Sequence, residues 1–448
     1  MSDLAAHAAH AVERAVAAGA TDAEAYASEA ENREVRVHGG EVESLTAATQ
    51  RGLGLRVWIG GRVGYGFGTD LSPGGLGKIA ARAVEAARVA DEDEFAGAPG
   101  ESGERPRVDG ITDPSRAEWS PAEIADLALA VERSARADPR VVAVEQAVYF
   151  DSGERVAIAS SSAPGGEYEA TSCYAYLQAL AGGEEARETG LGFDLARGPA
   201  ALDPAAIGRE GAGRATEMIG SSKPTSRSCP VVLDPTVAAS FVGLLGKAIG
   251  ADTVQRGRSP LAERLGEEVA GEAFVLRDDG LDPAGFATAP IDAEGTPRRR
   301  TALIEGGRLR TFLYDSYTAR RGGAASTGSA GRSGYRSPPG VSASNLIVSP
   351  GSAGLDELLR EAGEGVYIND VAGLHSGVNP VSGDFSTGAS GMLITNGTVG
   401  SPVRELTIAS TLQRMLLDIV EIGGDVDWLP RRAAGVSLVI RDVTMSGA

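Results

Sequence analysis

The side chains that usually carry catalysis are scarce in this sequence, and they do not fall into known catalytic patterns. No HExxH motif or other paired-histidine spacing is present, so a zinc site built by this chain alone is not predicted. A P-loop, a helix-opening GxGxxG, a GxSxG elbow and an SxxK pair are also absent. We therefore predict no metal, no cofactor and no catalytic residue in this chain. The side chains considered are His7, His10, His38, His375, Cys173, Cys229, Lys78, Lys223 and Lys247.

One stretch could still do chemistry of another kind. Residues 376–391 read SGVNPVSGDFSTGASG and contain no Lys, Arg, Glu, Cys or His. Asn379 and Asp384 are residue types that hold turns through hydrogen bonds to their own backbone, which is one interpretation. In the other, glycines such as Gly377 let a peptide or partner backbone approach closely, and Asn379, Asp384 and Ser386 supply hydrogen bonds to it. The residues alone leave both interpretations open.

Charge and composition exclude several classes of partner. The 448 residues include 42 basic and 61 acidic side chains, a formal charge of −19. Such a chain repels nucleic acid and anionic membrane surfaces, and no basic patch offsets this, so neither partner is predicted. Two cysteines are too few for a disulfide framework, and the N-terminus lacks a basic start followed by an apolar core. No run of about 18 apolar residues exists, so we expect a cytoplasmic protein.

The first half of the chain predicts one α+β domain over residues 1–220. Alternating apolar and polar residues with Gly-Gly breaks are typical of successive antiparallel hairpins, and Ala-rich amphipathic segments predict helices. We expect a break between two strands at Asp151-Ser152-Gly153. The predicted helices are 3–18, 73–90, 120–137 and 204–218, and the predicted strands after the first hairpins are 140–150, 153–161, 167–180 and 187–194.

The second half, residues 221–448, predicts a larger domain of mainly antiparallel strands with a few helices. A helix is expected at 235–250. The Gly- and Ser-rich segment 322–340 lacks residues for a core, so we expect a mobile loop or a segment ordered only by a ligand or partner. The fold class is therefore α+β throughout. The predicted strands are 272–277, 299–304, 308–313, 344–349, 365–370, 391–396, 402–408 and 435–441.

A resemblance to a known family rests on several linked motifs. The run GLHSGVNPVSGDFSTGASGMLITNGTVGSPVRELTIASTLQRMLLDIVEIGGDV at 373–426 resembles the C-terminal signature of the TldD/PmbA family. RGLGLRVWIGGRVGY at 51–65 and SPLAERLGEEVA at 259–270 resemble the family too. Together these motifs span essentially the whole chain. Under this resemblance the stretch 376–391 is a structured family element and not a linker.

The family resemblance implies a division of labour between two kinds of subunit. TldD-type chains carry zinc on a helical HExxxH motif, with a distant Cys as a further ligand. The corresponding helix here places Gly246 and Ala251 where the histidines would stand and Lys247 where the glutamate would be. Gly and Ala bind no metal, and a protonated Lys is no base. The C-terminal stretch offers no Cys either, so the chain resembles the metal-free PmbA/TldE-type subunit.

The resemblance further implies a partner and an activity. Such chains pair with a TldD-like subunit as a heterodimer that encloses a proteolytic chamber, with zinc in the partner. The implied reaction is cleavage of unfolded peptides or of leader peptides of modified peptide natural products. An orphan peptide-binding scaffold or a homodimer without hydrolytic activity is the alternative. A third hypothesis is metal-independent chemistry by Asp384, His375 or Lys247.

Overall fold

The computed structural model describes residues 3–100, 103–183, 186–374, 376–429 and 433–447. His375, one of the residues considered for metal-independent chemistry, lies outside these ranges. The fold class is α+β, as predicted, with one antiparallel sheet in the N-terminal half and a larger strand-rich C-terminal half. Within the described ranges, no helix combines the length and the apolar character needed to cross a bilayer.

A single six-stranded antiparallel sheet forms the N-terminal half, in the order β3-β2-β1-β4-β5-β6. One pair of helices, α1 and α2, packs on one part of it, and a second pair, α3 and α4, packs on another, so that two separate cores result. The elements are α1 Asp3–Ala17, β1 Asp22–His38, β2 Glu41–Ile59, β3 Arg62–Gly68, α2 Pro73–Val89, α3 Pro121–Arg136, β4 Val141–Ser160, β5 Gly166–Gly182, β6 Arg187–Ala196 and α4 Pro204–Glu217, with 3-10 turns at Pro114–Glu118 and Pro199–Ala201.

The predicted break in the middle of β4 is wrong. Asp151 is fully buried within one continuous strand, where its carboxylate accepts hydrogen bonds from Arg116 Nε at 2.8 Å and from the Tyr149 hydroxyl at 2.7 Å. A Cβ on Gly153 would lie 2.7 Å from an Arg116 nitrogen. The Asp-Ser-Gly triplet therefore does not turn the chain but makes room for a buried arginine.

Two further six-stranded sheets form the C-terminal half, β10-β9-β8-β13-β19-β18 and β16-β15-β14-β7-β20-β17. An additional pairing of β16 with β20 closes five strands of the second sheet into a ring. Neighbours are mostly antiparallel, but β13 with β19 and β14 with β7 run parallel. The strands are β7 Arg227–Leu233, β8 Leu276–Asp279, β9 Arg300–Glu305, β10 Arg308–Leu309, β11 Ala330–Gly331, β12 Gly340–Val341, β13 Leu346–Val348, β14 Gly365–Ala372, β15 Asp384–Thr395, β16 Thr398–Thr411, β17 Ile419–Ile422, β18 Asp427–Leu429, β19 Ala433–Gly435 and β20 Leu438–Ser446.

Five helices accompany these sheets. The first, α5, is apolar on most of its surface and packs into the largest core of the molecule, which is the expected behaviour of a helix with so few polar side chains. The predicted helix at 235–250 is thus present, whereas the four shorter helices lack a sequence prediction. The helices are α5 Pro235–Ala248, α6 Ala251–Gln255, α7 Ser316–Gly322, α8 Leu355–Ala362 and α9 Leu412–Leu417.

The segment 322–340 differs from the expectation of a mobile loop or one ordered only by another molecule. It packs against the N-terminal sheet of the same chain, where Tyr335 is buried over Gly52. The Tyr65 hydroxyl donates hydrogen bonds to the carbonyl oxygens of Tyr335 and Ser337 at 2.8 and 2.9 Å. Arg332 forms a buried ion pair with Glu24. Glycines and serines suffice here because one buried aromatic ring and one ion pair fix the segment on an existing surface.

Candidate functional site

The C-terminal end of α5 forms one wall of a cleft. Asp234 caps the start of this helix by accepting a hydrogen bond from the Thr236 N–H at 2.9 Å, and Pro235 occupies the first turn. The helix ends at Ala248, and α6 begins only at Ala251, after Ile249 and Gly250. Gly243, in the third turn, leaves open space beside the helix, since a Cβ there would meet nothing within 4 Å.

The cleft has a volume of about 540 Å³, within the range usual for ligand sites. Its other walls come from the strand region around β12 and β13, from the turn after Gly377 and from the start of α9. Most of the lining is aliphatic, with only three charged side chains. The lining residues are Gly243, Leu244, Gly246, Lys247, Ala248, Gly250, Asp252, Thr253, Arg258, Val341, Ser342, Ala343, Leu346, Val378, Pro380, Val381 and Leu412.

The three positions aligned with HExxxH take up different surroundings. Gly246 lines the cleft, and a Cβ there would lie 2.4 Å from Leu346 Cδ1. Lys247 is exposed at the cleft, whereas Ala251 is fully buried and donates its N–H to the Leu313 carbonyl at 2.9 Å. Because the helix is interrupted between them, Gly246 and Ala251 do not share one helical face.

These positions offer no zinc ligand, since Gly and Ala have no donor side chain. Across the part of the chain that the structure describes, no group of three or more His, Cys, Asp or Glu side chains is arranged to hold a metal ion. Both cysteines are buried, and burial raises the pKa of the Cys173 thiol to about 12 and the pKa of Cys229 above its usual value. Thiols in such surroundings are poor ligands and nucleophiles.

The stretch 376–391 is an ordered hairpin in which Asn379 holds the turn. Its N–H donates to the Asp384 carbonyl at 2.8 Å, and its side-chain oxygen accepts the N–H groups of Val381 at 2.9 Å and Ser382 at 3.3 Å. The Asp384 carboxylate accepts a hydrogen bond from the Ser382 hydroxyl at 2.6 Å. These contacts agree with the turn interpretation, because each is made within the hairpin itself.

Gly377 and Ser386 face each other across this hairpin. The Ser386 N–H donates to the Gly377 carbonyl at 2.7 Å, and a Cβ on Gly377 would lie 2.0 Å from the Ser386 carbonyl oxygen. The Ser386 side chain is exposed. Gly377 therefore permits a close approach of backbone, but the approaching strand belongs to this chain.

The fold brings together two regions that the sequence analysis treated separately. The cleft that Gly246 and Lys247 line is also lined by three apolar residues of the turn, Val378, Pro380 and Val381. These three apolar residues were not predicted as site residues, because only polar residues and glycine were considered as binding candidates in the stretch. Hydrophobic residues in an otherwise Gly- and Ser-rich turn are a signal that could have found them.

The charged residues of the cleft are Lys247, Arg258 and Asp252. The Arg258 backbone is fixed by a hydrogen bond from its N–H to the Thr253 carbonyl at 2.9 Å, which places this residue at the cleft. Among the described residues, neither Lys247 nor Arg258 has a carboxylate within 4.0 Å. The cleft therefore has a net positive charge within a strongly acidic chain.

A second cavity, of about 280 Å³, adjoins the cleft and shares Asp252 and Val341 with it. It lies between the N-terminal sheet and α6 and α7, and four arginines line it, namely Arg56, Arg256, Arg320 and Arg321. Arg320 donates hydrogen bonds to carbonyl oxygens of the 95–97 loop at 2.7 Å. The two cavities are therefore neighbours, and the second lies at the junction of the two halves.

A fold of two strand-rich halves around such a recess is that of a class of metallopeptidase-like protein. Family models described as PmbA/TldA metallopeptidase domain 1, central domain and C-terminal domain match residues 23–87, 114–219 and 226–447. The chain belongs to the TldD/PmbA family. The predicted domain boundary near residue 220 stays a prediction. The family models for domain 1 and for the central domain both match segments that contribute strands to the one N-terminal sheet.

Similar proteins cover nearly the whole chain. The Metalloprotease PmbA homolog of Haemophilus influenzae is 28% identical over 446 residues, which is 98% of this chain and 94% of that protein. Metalloprotease PmbA of Escherichia coli O157:H7 is 28% identical over 96% of this chain and 94% of its own length.

Solved structures also match this chain over nearly its whole length. A crystal structure from Thermotoga maritima superposes with a TM-score of 0.90 at 27% identity, covering 97% of this chain and 98% of that one. TldE from Thermococcus kodakarensis shares the fold, with a TM-score of 0.89 at 21% identity, over 98% of this chain and 100% of that chain.

Proposed function

We propose that this chain is the non-metal-binding subunit of a TldD/TldE-like heterodimeric metallopeptidase complex that cleaves unfolded or leader peptides. Zinc is held by a TldD-like partner subunit, and this chain contributes shape and binding surface to the shared chamber. The observation that carries the proposal is the interrupted helix with Gly246, Lys247 and Ala251 in place of HExxxH. Without donor side chains at these positions, metal-activated water has to come from another subunit.

The cleft suits a role in holding peptide. An aliphatic recess beside exposed backbone accepts side chains of an extended chain, and a chamber wall excludes folded proteins and water from the reaction. Neither nucleic acid nor a membrane is a partner in this proposal, since the formal charge is −19.

The direct experiment measures metal content and mass together. The chain is purified alone and with a TldD-type chain from the same genome, and zinc, complex mass and hydrolysis of an unfolded peptide are measured for both samples. We expect about one zinc per heterodimer and hydrolysis only in the complex. Stoichiometric zinc and hydrolysis in the lone chain would reject the proposal.

The alternative is an orphan peptide-binding scaffold or a homodimer. A homodimeric mass with no affinity for any TldD-type chain would support it. A neighbouring gene that encodes HExxxH would instead support the heterodimer.

Metal-independent chemistry by Asp384, His375 or Lys247 is the third candidate. The Asp384 carboxylate accepts a hydrogen bond from the Ser382 hydroxyl, and Lys247 lines the cleft. Alanine variants of all three, assayed in the reconstituted complex at saturating peptide, test it. An unchanged kcat removes the candidate, whereas a change in KM alone indicates binding.

A further inference from the structure

The cleft has an unusual combination of charge and shape for this protein. Lys247 and Arg258 point to a shared recess without a carboxylate partner among the described residues, and Asp252 is the one acidic side chain in the lining. In contrast, the buried arginines Arg56 and Arg332 are each paired with a carboxylate. Cations left unpaired beside an apolar recess are available to an incoming anion.

The apolar walls indicate that the ligand also carries an uncharged, aliphatic group. Leu244, Leu346, Val378 and Leu412 come from four different elements and enclose space for an aliphatic side chain. Val378 is held by its antiparallel bridge to Phe385, so this wall is part of the hairpin and not a free loop. An extended chain with an aliphatic residue in this recess brings the side chains two positions away close to the two cations, because these share its face.

We propose that this cleft binds an extended peptide segment in which an aliphatic residue and an Asp or Glu stand two positions apart, on the same face of the chain. The aliphatic side chain occupies the space under Leu346 and Val378, and the carboxylate binds Lys247 and Arg258. The adjoining cavity continues the same chemistry, because Arg256 and Arg321 line it. A longer acidic segment therefore has further cationic contacts along the recess.

The peptide's role as a substrate rests on the proposed function, but its binding does not. The lone chain is tested directly, without a partner or zinc. Loss of peptide binding would reject this inference and leave the heterodimer intact, whereas absence of a zinc-containing complex would reject the proposed function and leave the binding intact. The two failures are thus distinguishable.

The first test is fluorescence anisotropy with a labelled, C-terminally amidated peptide of repeated Leu-Ser-Glu-Ser, the Leu-Glu peptide. In an extended chain this spacing places Leu and Glu on the same side, so that both can face the cleft. We expect binding that weakens with salt and falls about tenfold in the double variant Lys247→Ala and Arg258→Ala. The matched control is Lys78→Ala with Arg82→Ala, two exposed cations on α2. Equal loss in both double variants would overturn the assignment to the cleft.

A second variant blocks the cleft without touching its charges. Gly243 lines the recess, and a Cβ there meets nothing within 4 Å, so the leucine of Gly243→Leu begins in open space and extends into the recess. Gly213→Leu is the control, since Gly213 is also a helical glycine with nothing within 4 Å of its Cβ position. We expect Gly243→Leu to weaken binding at least tenfold and Gly213→Leu to leave it unchanged. Unchanged binding in Gly243→Leu would reject the site.

The chemistry of the anion is tested with the peptide itself. An amidated Leu-Gln peptide should bind about tenfold more weakly than the Leu-Glu peptide if the carboxylate contributes as inferred. Equal affinity for the two would overturn the carboxylate assignment. A Leu-Gln peptide that recovers full affinity only with a free C-terminus would overturn the side-chain assignment and identify a C-terminal carboxylate instead.

Discussion

Leu346 occupies the space into which a side chain on Gly246 would project. A Cβ at position 246 would lie 2.4 Å from Leu346 Cδ1, although Gly246 belongs to the last turn of α5 and Leu346 to β13. Leu346 is itself buried, so its side chain has little freedom to move away. A side chain larger than hydrogen at position 246 would therefore require Leu346 to shift.

The contact predicts opposite effects for two glycines of one helix. Gly243→Ala should stabilise the protein by about 0.5–1 kcal/mol, because Ala has the higher helix propensity and its Cβ meets nothing within 4 Å. Gly246→Ala should destabilise it by about 1–2 kcal/mol, since the overpacking against Leu346 exceeds that gain. Urea unfolding of both variants measures the difference. Equal stabilisation by both would mean that Leu346 moves freely.

Restoring the zinc motif should fail to restore zinc binding. The triple variant Gly246→His, Lys247→Glu and Ala251→His places one histidine against Leu346 and the other at a fully buried position beyond the end of the helix. We expect well below one zinc per chain after desalting, by elemental analysis, and a lowered melting temperature. The control adds Leu346→Ala, which removes the first obstacle but not the second. One zinc per chain in either variant would contradict the geometry.

The N-terminal half could be predicted well because its signals are local. Gly-Gly pairs at 39–40 and 60–61 have positive φ values of 65°, 81°, 54° and 72°, which two-residue hairpin turns require and glycine permits. Ser120 and Glu123 form a capping box at the start of α3, a local pattern of Ser followed three residues later by Glu. Asp151 was misread because its partner Arg116 is distant in sequence, and a buried ion pair leaves no local pattern.

The cleft was harder to predict because its residues, like Asp151 and Arg116, are distant in sequence and come together only in the fold. Gly246 and Lys247 were found by comparison with a family motif, whereas Arg258 is one exposed arginine among many and joins the site only through folding. β15 begins at Asp384 and not at the predicted residue 391, because its first residues are small and give no hydrophobic alternation. Its early start is what turns the stretch 376–391 into a hairpin against the cleft.

The buried ion pair between Arg332 and Glu24 should make a large contribution to joining the two halves. Both side chains are almost fully buried, and Arg332 also lies over the Tyr26 ring, 5.0 Å from its centroid. Arg332→Ala should lower the free energy of unfolding by about 3 kcal/mol, since it leaves Glu24 with Arg56 as its remaining ion-pair partner. Arg336→Ala, at an exposed position of the same segment, should change it by less than about 0.5 kcal/mol. Similar losses would show that the segment contributes little to stability.

Asp292 should give the protein a measurable pH dependence. Burial, with the nearby Glu294 carboxylate, raises the pKa of Asp292 from 3.8 to about 7. The folded state then binds a proton that the unfolded state has released, so the contribution of Asp292 to stability is full below about pH 4 and is lost as pH rises to about 7.

The measurement compares melting curves of the natural protein and Asp292→Asn from pH 4 to 8. Histidine titrations are common to both, so the difference between the two proteins isolates Asp292. We expect the stability of the natural protein relative to the variant to fall with rising pH. A constant difference would mean that the carboxylate is ionised throughout, held by the N–H groups of Glu294, Thr296 and Ala330 that donate to it.

Asn379 should control the cleft indirectly, by holding the turn that carries Val378 and Val381. Asn379→Ala removes the acceptor of the Val381 and Ser382 N–H groups, a loss of about 1 kcal/mol in the ordered turn. Since this can reduce the population of the ordered turn, affinity for the Leu-Glu peptide should fall by up to about fivefold. Anisotropy measures the affinity, and amide exchange at Val381 and Ser382 reports the turn itself.

Two further variants separate this indirect role from direct contact with the peptide. Asn379→Asp keeps an oxygen for both N–H groups, so it should retain the turn and most of the affinity. Ser386→Ala removes an exposed hydroxyl of the same hairpin and should change neither affinity nor exchange. If Asn379→Ala weakened binding while amide exchange stayed unchanged, the side chain would contact the peptide directly, and the binding interpretation of the sequence would be right after all.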